Sequence, residues 1–368
     1  MEIFSGLFSN VFNFTWQQAV MILIGGLLIF LAVKREMEPS LLLPMGFGAV
    51  LVNLPFVHTE AIETLFRAGI ASELFPLLLF IGIGAMIDFG PLLSNPKMLL
   101  FGAAAQFGIF FTLVAAVMAG FGLKDAASTA IIAAADGPTS IYVANYFQSN
   151  YQGAIMVAAY SYMALVPIIQ PPVIRAVTTK AERLIRMEYT PGSVSKTTRI
   201  LFPIFVTIIA GTVAPKSAEL IGFLMFGNLI RECGVLDSLS QSAQHELANL
   251  ITLLLGLSVS FQMKAEQFVT WQTLLIMGLG LLGFVFDTVG GVLFAKALNL
   301  FSKKKVNPMI GAAGISAFPM ASRVVHKMGL EEDSYNFLLM HAAGANVSGQ
   351  IASVIAGGLI ITLVEKLL

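Results

Sequence analysis

Apolar segments fill most of this chain and leave little sequence that a soluble domain could use as its surface. Only 11% of the 368 residues are charged, whereas a soluble domain carries about 25%. A straight membrane span needs ~20 apolar residues, so the sequence predicts an all-α polytopic membrane protein. The apolar segments fall near 17–33, 41–55, 74–88, 98–120, 125–147, 151–174, 200–214, 218–232, 248–262, 272–298, 306–324 and 335–364.

Charge and cysteine content exclude several classes of function. The formal net charge is zero, which argues against nucleic acid as a partner. Cys233 is the single cysteine, so no internal disulfide or cysteine-based metal cluster can form, and we interpret it as a packing residue. The histidines show no spacing typical of metal ligands, and we treat them as non-ligands: His58, His245, His326 and His341.

Two of the apolar segments are interrupted by residues that cannot continue a helix. The first contains Asp136-Gly137-Pro138, and the second runs from Asn307-Pro308 to Pro319. A carboxylate at membrane depth costs ~3 kcal/mol or more and is by default a functional-site hypothesis. Broken backbone at that depth is tolerated where it is buried in protein or lines a cavity. A charge together with freed carbonyls predicts a cation site at Asp136.

The two halves of the chain resemble each other at an offset of about 180 residues. For example, Gly46-Phe47-Gly48 aligns with Met225-Phe226-Gly227. If the broken fifth element of each half is re-entrant, each half crosses the membrane five times, and the second repeat is inverted. The predicted organisation is an interfacial N-terminal segment (1–16), membrane repeat 1 (17–174), a basic linker (175–199) and membrane repeat 2 (200–368).

The distribution of basic residues is consistent with inverted repeats. Positive loops face the cytoplasm, so the linker 175–199 is placed inside. The prediction then puts sixteen Lys and Arg residues inside and five outside. Both chain termini fall outside in this arrangement.

Four long motifs stand out along the chain. They are Gly82-Ile-Gly-Ala-Met-Ile-Asp88-Phe-Gly-Pro-Leu-Leu-Ser-Asn95-Pro96, Ala135-Asp136-Gly-Pro-Thr-Ser, Ala159-Tyr-Ser-Tyr162-Met-Ala-Leu-Val-Pro-Ile-Ile-Gln-Pro-Pro172 and Asn307-Pro-Met-Ile-Gly311. With these motifs the chain resembles the β subunits of sodium-pumping biotin-dependent decarboxylases, which act on oxaloacetate, glutaconyl-CoA or methylmalonyl-CoA. The likeness runs from about residue 17 to the C-terminus.

This resemblance implies decarboxylation of carboxybiotin coupled to sodium export and proton uptake. It implies a biotin carrier subunit, a carboxyltransferase α subunit and a small membrane-anchor subunit as partners, in an oligomeric complex of the inner (plasma) membrane. The catalytic residues that it implies are Asp136, Tyr162, Ser316 and Arg323. The sodium ligands that it implies are Asp136, Asn307, Gly311, Ser316 and Asn346. From the predicted topology, Arg323 and Lys97 are our candidates for holding the carboxybiotin carboxylate at the inner mouth.

Each candidate also has a structural interpretation. Asp136 could pair with a backbone N–H, and Tyr162 could be an interfacial aromatic residue. Asn346 and Ser316 could be interhelical hydrogen-bond partners, and Arg323 could mark the cytoplasmic boundary. Two further aspartates stay unassigned, because a helix-terminating turn at Asp88 and a packing hydrogen bond at Asp287 are as plausible as a functional role.

Three readings of the function compete. The first is the decarboxylase pump, and the second is a stand-alone secondary sodium/proton exchanger. The third, a membrane scaffold, does not explain why polar residues cluster at both helix breaks. Association with a biotinylated carrier and a carboxyltransferase separates the first reading from the second.

Overall fold

The computed structural model describes residues 14–55, 57–188 and 194–368. Most of the predicted interfacial segment 1–16, and residues 189–193 of the predicted linker, lie outside the described residues. The described residues form helices and connecting turns, with no strand among them. The all-α prediction is therefore confirmed for this part of the chain.

The α-helices of the first half range from five to 26 residues. They are Trp16–Arg35, Pro39–Asn53, Glu60–Leu65, Leu74–Met86, Gly90–Ser94, Leu99–Ala104, Phe107–Met118, Leu123–Ala130, Gly137–Tyr146 and Gln152–Val177. A π-helix, Phe66–Ile70, and two 3-10 helices, Pro96–Met98 and Ile131–Ala134, join some of them.

The second half is also helical throughout its described residues. Its α-helices are Lys180–Arg183, Lys196–Val213, Ala218–Glu232, Asp237–Ser242, Ala248–Val259, Ala265–Phe268, Trp271–Phe301, Met309–Ala312, Met320–Glu332 and Leu339–Leu367. A π-helix follows a short α-helix here too, at Ala243–Leu247, and two 3-10 helices lie at Pro215–Ser217 and Ser260–Gln262. The short Lys180–Arg183 helix lies within the predicted linker.

Six helices of the described part are long and apolar enough to cross a membrane. A seventh span is possible at Glu60–Ile70 and Leu74–Met86, which are bent by 61° relative to each other. The chain is therefore a polytopic membrane protein, as predicted. The six helices are Trp16–Arg35, Pro96–Met118, Gln152–Val177, Lys196–Val213, Trp271–Phe301 and Leu339–Leu367.

Both predicted helix breaks are present. In the first, Ile131–Ala134 ends at Ala135, whose φ of 49° is left-handed, and the Gly137–Tyr146 helix begins after Asp136. In the second, Met309–Ala312 is followed by turns and the Met320–Glu332 helix. Proline explains why a new helix begins at each break. Pro138 and Pro308 lack the N–H that would bond to a preceding helical turn, so neither can continue an earlier helix.

Helices of the two halves pack closely against each other. Leu74–Met86 of the first half packs on Ala218–Glu232 of the second. A Cβ atom at Gly84 would lie 1.9 Å from the Leu224 carbonyl oxygen, and one at Gly227 would lie 2.0 Å from that of Ile81. Only glycine permits the backbones to approach so closely. Each half thus completes the core of the other.

Ion pairs gather the linker against the second half at one end of the molecule. Arg183 contacts Glu332 at 2.6 Å and Arg186 contacts Asp333 at 2.5 Å. The hydrogen bond from Arg186 holds the pKa of Asp333 below its ordinary value. Arg183 and Arg186 are both among the basic residues that the sequence predicts to lie inside.

Candidate functional site

Asp136 lies at the centre of the first break and is only 3% exposed. It is the N-cap of the Gly137–Tyr146 helix, where one carboxylate oxygen, Oδ1, accepts the Thr139 N–H at 3.2 Å. The other, Oδ2, accepts hydrogen bonds from Thr139 Oγ1 at 2.8 Å and Ser353 Oγ at 2.7 Å. Asp136 therefore makes the backbone N–H pairing that its structural interpretation requires. Three bonds still leave capacity, because a carboxylate offers about four lone-pair sites.

The second break meets the first through the backbone. The Ser316 N–H donates to the Ala134 carbonyl at 3.2 Å, which places Ser316 beside the turn that carries Asp136. The Ser316 hydroxyl is buried and donates to the Gly349 carbonyl at 3.4 Å, near the limit for a hydrogen bond. The two interrupted elements therefore touch at a point enclosed by protein.

A polar stripe on the last helix faces this meeting point. Asn346, Gln350 and Ser353 follow one another at helical spacing and therefore share one face of Leu339–Leu367. Asn346 Nδ2 donates to the Ile315 carbonyl at 2.7 Å, and Gln350 Nε2 donates to that of Ser316. Both amide side chains thus occupy carbonyls freed by the second break. Their oxygens, Asn346 Oδ1 and Gln350 Oε1, are buried and have no partner among the described residues.

Tyr160 brings a further buried oxygen close to Asp136. A Cβ atom at Gly137 would lie 2.2 Å from Cε1 and 2.3 Å from Cζ of the Tyr160 ring. The ring therefore packs against the first turn of the helix that Asp136 caps. Its hydroxyl has no partner among the described residues, and the side chain is 1% exposed. A phenol buried in this way normally finds a hydrogen-bond partner.

Asn307 and Gly311 lie on the second broken element but make other contacts. Asn307 Nδ2 donates to the carbonyls of Arg183 and Ile185, both at 2.9 Å, and Oδ1 accepts the Met309 N–H. The side chain of Asn307 therefore binds the linker to the second broken element. Gly311 packs on the Trp271–Phe301 helix, where an added Cβ atom would lie 1.9 Å from the Gly291 carbonyl oxygen. The structure brings neither residue into hydrogen-bonding contact with Asp136.

Tyr162 points away from the Asp136 carboxylate. Its hydroxyl donates to the Met277 carbonyl at 2.5 Å, and its ring approaches Gly280. It borders a mostly apolar cavity of about 580 Å³, shared with the Trp16–Arg35 helix. The resemblance implies Tyr162 as the catalytic tyrosine. In this structure, however, the tyrosine beside Asp136 is Tyr160.

The two cationic candidates lie on exposed surfaces. Arg323 projects from the Met320–Glu332 helix. Burial raises the pKa of Glu38 above its ordinary value, and the charge of Arg323 partly opposes this shift. Lys97 is exposed on the Pro96–Met98 turn. It is two residues from Asn95, which lines a polar cavity of about 210 Å³ together with Glu188.

The site thus combines one carboxylate with neutral oxygens. No group of three or more His, Cys, Asp or Glu residues in the described ranges could hold a metal ion. Carboxylate, hydroxyl and carbonyl oxygens suit a hard cation. Sequence reasoning missed Thr139, Tyr160, Gln350 and Ser353. The helical spacing of residues 346, 350 and 353 could have indicated that Gln350 and Ser353 share a face with Asn346.

A membrane protein whose broken helices meet at a buried carboxylate has the architecture typical of ion transporters. The profile of the family described as the Na+-transporting oxaloacetate decarboxylase beta subunit matches residues 17–364. The chain belongs to this family of sodium-transporting decarboxylase β subunits.

Curated relatives match over nearly the whole chain. The glutaconyl-CoA decarboxylase subunit beta of Acidaminococcus fermentans is 48% identical, covering 97% of this chain and 96% of the relative. The methylmalonyl-CoA decarboxylase subunit beta of Veillonella parvula is 47% identical and covers 100% of both. The oxaloacetate decarboxylase beta chain of Haemophilus ducreyi is 41% identical, covering 100% of this chain and 99% of the relative. The recognition made from the four motifs is confirmed.

Proposed function

We propose that this protein decarboxylates carboxybiotin and couples the reaction to sodium export with proton uptake. It acts in the inner membrane with a biotin carrier subunit, a carboxyltransferase α subunit and a small membrane-anchor subunit. The buried Asp136 carboxylate, at the meeting point of the two broken elements, is the observation that carries the proposal. Family membership supports the sodium-transporting decarboxylase part of it.

The chemistry requires one proton for each turnover. The C–N bond of the carboxylated ureido nitrogen breaks, its electron pair stays on nitrogen, and CO2 leaves. The nitrogen then takes up a proton. Moving one charge outward against 100 mV costs ~2.3 kcal/mol. We assign that energy to the decarboxylation, because no nucleotide-binding motif occurs in the sequence.

Sodium binds near Asp136 in this proposal. Asp136 supplies the charge, and Ser316 and Asn346 supply neutral oxygens from the second broken element and the last helix. The unpaired Asn346 Oδ1 supports this assignment, because a buried oxygen without a donor is costly unless a ligand contacts it. Asn307 and Gly311 hold the second break in place. Tyr162 remains a candidate for passing a proton.

Inverted-topology repeats give this site access to each side in turn. A short α-helix that runs directly into a π-helix occurs once in each half, at residues 60–70 and 237–247, and supports a duplication. The hydrogen bond from Ser316 to Ala134 joins one broken element of each half and so supports a site between the repeats. Rocking of one repeat against the other about this crossing would open the site alternately inward and outward.

Purification from the native membrane tests the proposal against its alternative. The protein should co-elute with a biotinylated subunit and a carboxyltransferase, detected by an avidin probe and by peptide mass analysis. Purified protein that lacks biotin and exchanges sodium for protons alone in vesicles would establish the stand-alone exchanger instead.

Replacement of Arg323 tests the entrance for carboxybiotin. Arg323→Ala should raise the KM for carboxybiotin about 10-fold or more, since a hydrogen bond to a charged group contributes ~1.5–3 kcal/mol. The sodium concentration for half-maximal rate should change much less. Arg67→Ala is the matched control, because Arg67 is also exposed and makes only a local pair with Glu63. A larger change in sodium affinity than in KM would indicate that Arg323 is only structural.

A further inference from the structure

Asp287 is a second carboxylate buried within a membrane-spanning helix, and the proposed function does not use it. It lies within Trp271–Phe301 and is completely buried. Its Oδ1 accepts the N–H of Gly108, near the start of the Phe107–Met118 helix. The first N–H groups of a helix have no partner within it, so Asp287 caps this helix from outside.

The other oxygen of Asp287 is not used by this cap. Oδ2 is buried and has no partner among the described residues, and the same holds for Thr112 Oγ1 on the facing helix. Glycines hold the two helices together here: a Cβ atom at Gly108 would lie 2.6 Å from Asp287 Oδ1, and one at Gly283 would lie 2.0 Å from Thr112 Oγ1. A proton needs only one free oxygen, and Oδ2 supplies it.

No cation in the described structure neutralises Asp287. The elements packed against its helix that carry no ionisable side chain are Leu99–Ala104, Phe107–Met118, Ile131–Ala134 and Met309–Ala312. The ionisable groups of its own helix and of the remaining neighbours are Lys296, Lys124, Asp125, Tyr160, Tyr162 and Arg175. Lys296 pairs with Glu182, and Arg175 pairs with Glu331. An unpaired buried carboxylate costs many kcal/mol unless it takes up a proton.

We propose that Asp287 is a second ion-binding group whose ligand is a proton, bound and released during the sodium transport cycle. This inference rests on the proposed function, because that function requires proton uptake. Loss of the proton would leave a charge that has to be hydrated, so the glycine-packed contact must open. The same helix touches the first break, since Gly283 lies against Ala133. Opening at Asp287 therefore moves the turn that carries Asp136.

The test uses the complete decarboxylase complex in proteoliposomes. Asp287→Asn preserves a cap, because the asparagine oxygen can accept the Gly108 N–H, but it cannot exchange a proton. Proton uptake during turnover should fall about 10-fold or more, since a positioned proton-transfer group typically contributes 10²–10⁴-fold. Infrared difference spectra should lose the band of a protonated carboxylic acid. Sodium binding, measured as protection of Asp136 from chemical labelling, should persist. Asp237→Asn, at an exposed position, is the control.

Two outcomes separate this inference from the proposed function. Unchanged proton uptake and an unchanged infrared band in Asp287→Asn would show that Asp287 is only a cap, and the proposed function would stand. Sodium transport that survives Asp136→Asn would instead overturn the proposed function. If Asp287→Asn does not fold, Asp287→Glu keeps a carboxyl group that can bind a proton at the same place in the helix. The infrared band of the protonated carboxylic acid should then move in frequency, and an unmoved band would overturn the inference.

Discussion

Asp136→Asn should reduce sodium-dependent decarboxylation by at least about 100-fold, which is the smallest contribution typical of a side chain that transfers a proton. The substitution removes the charge while the fold is preserved, because asparagine is a good N-cap. The hydroxyls of Thr139 and Ser353 can donate or accept, so both can bond the new amide. A loss of activity in Asp136→Asn would therefore result from the missing charge. The measurement is carboxybiotin decarboxylation and ²²Na⁺ uptake by the reconstituted complex.

Two comparisons make this result specific. Asp136→Glu keeps the charge and moves it by one methylene, so part of the activity should remain. Asp237→Asn removes an exposed carboxylate and should leave the rate unchanged. Full sodium transport by Asp136→Asn would refute the assignment of the sodium site.

High sodium should protect Asp136 from a carbodiimide reagent, which attacks protonated carboxyl groups. Burial disfavours the charged form, so without sodium Asp136 should carry a proton and react. A bound sodium ion stabilises the carboxylate and excludes that proton, so labelling should fall several-fold. The same competition should slow turnover at high sodium. Peptide mapping by mass spectrometry at several pH values measures the labelling of each carboxylate separately.

The exposed carboxylate Asp237 provides the internal reference, because its labelling should not respond to sodium. Potassium at the same ionic strength controls for screening. Labelling of Asp136 that ignores sodium at every pH would remove it from a shared sodium and proton role. The proton would then travel by another route.

The positions of the helix breaks could be predicted from sequence, because Gly-Pro and Asn-Pro have local effects on the backbone. The buried carboxylate could also be predicted, since a charge inside an apolar segment needs a reason. The neighbours of Asp136 could not be placed, because one sequence does not show which face of a long helix turns inward. Ser353 reaches Asp136 from 217 positions away, and only the spacing of Asn346, Gln350 and Ser353 hinted at this face.

Other residues were harder to place for a different reason. Asn307 stands at the start of the second break, yet its amide donates to linker carbonyls more than 120 positions earlier. Tyr160 and Tyr162 are two positions apart in one helix, so they point in different directions. The motif that contains both does not show which one approaches the carboxylate.

The close packing between the halves has a consequence for biosynthesis. Gly84 lies against a helix whose Asn228 comes 144 positions later in the chain. The first half therefore leaves the ribosome before the helix that packs on Gly84 has been made. We expect that the first half expressed alone would be degraded, and that co-expression of both halves as separate chains would rescue it.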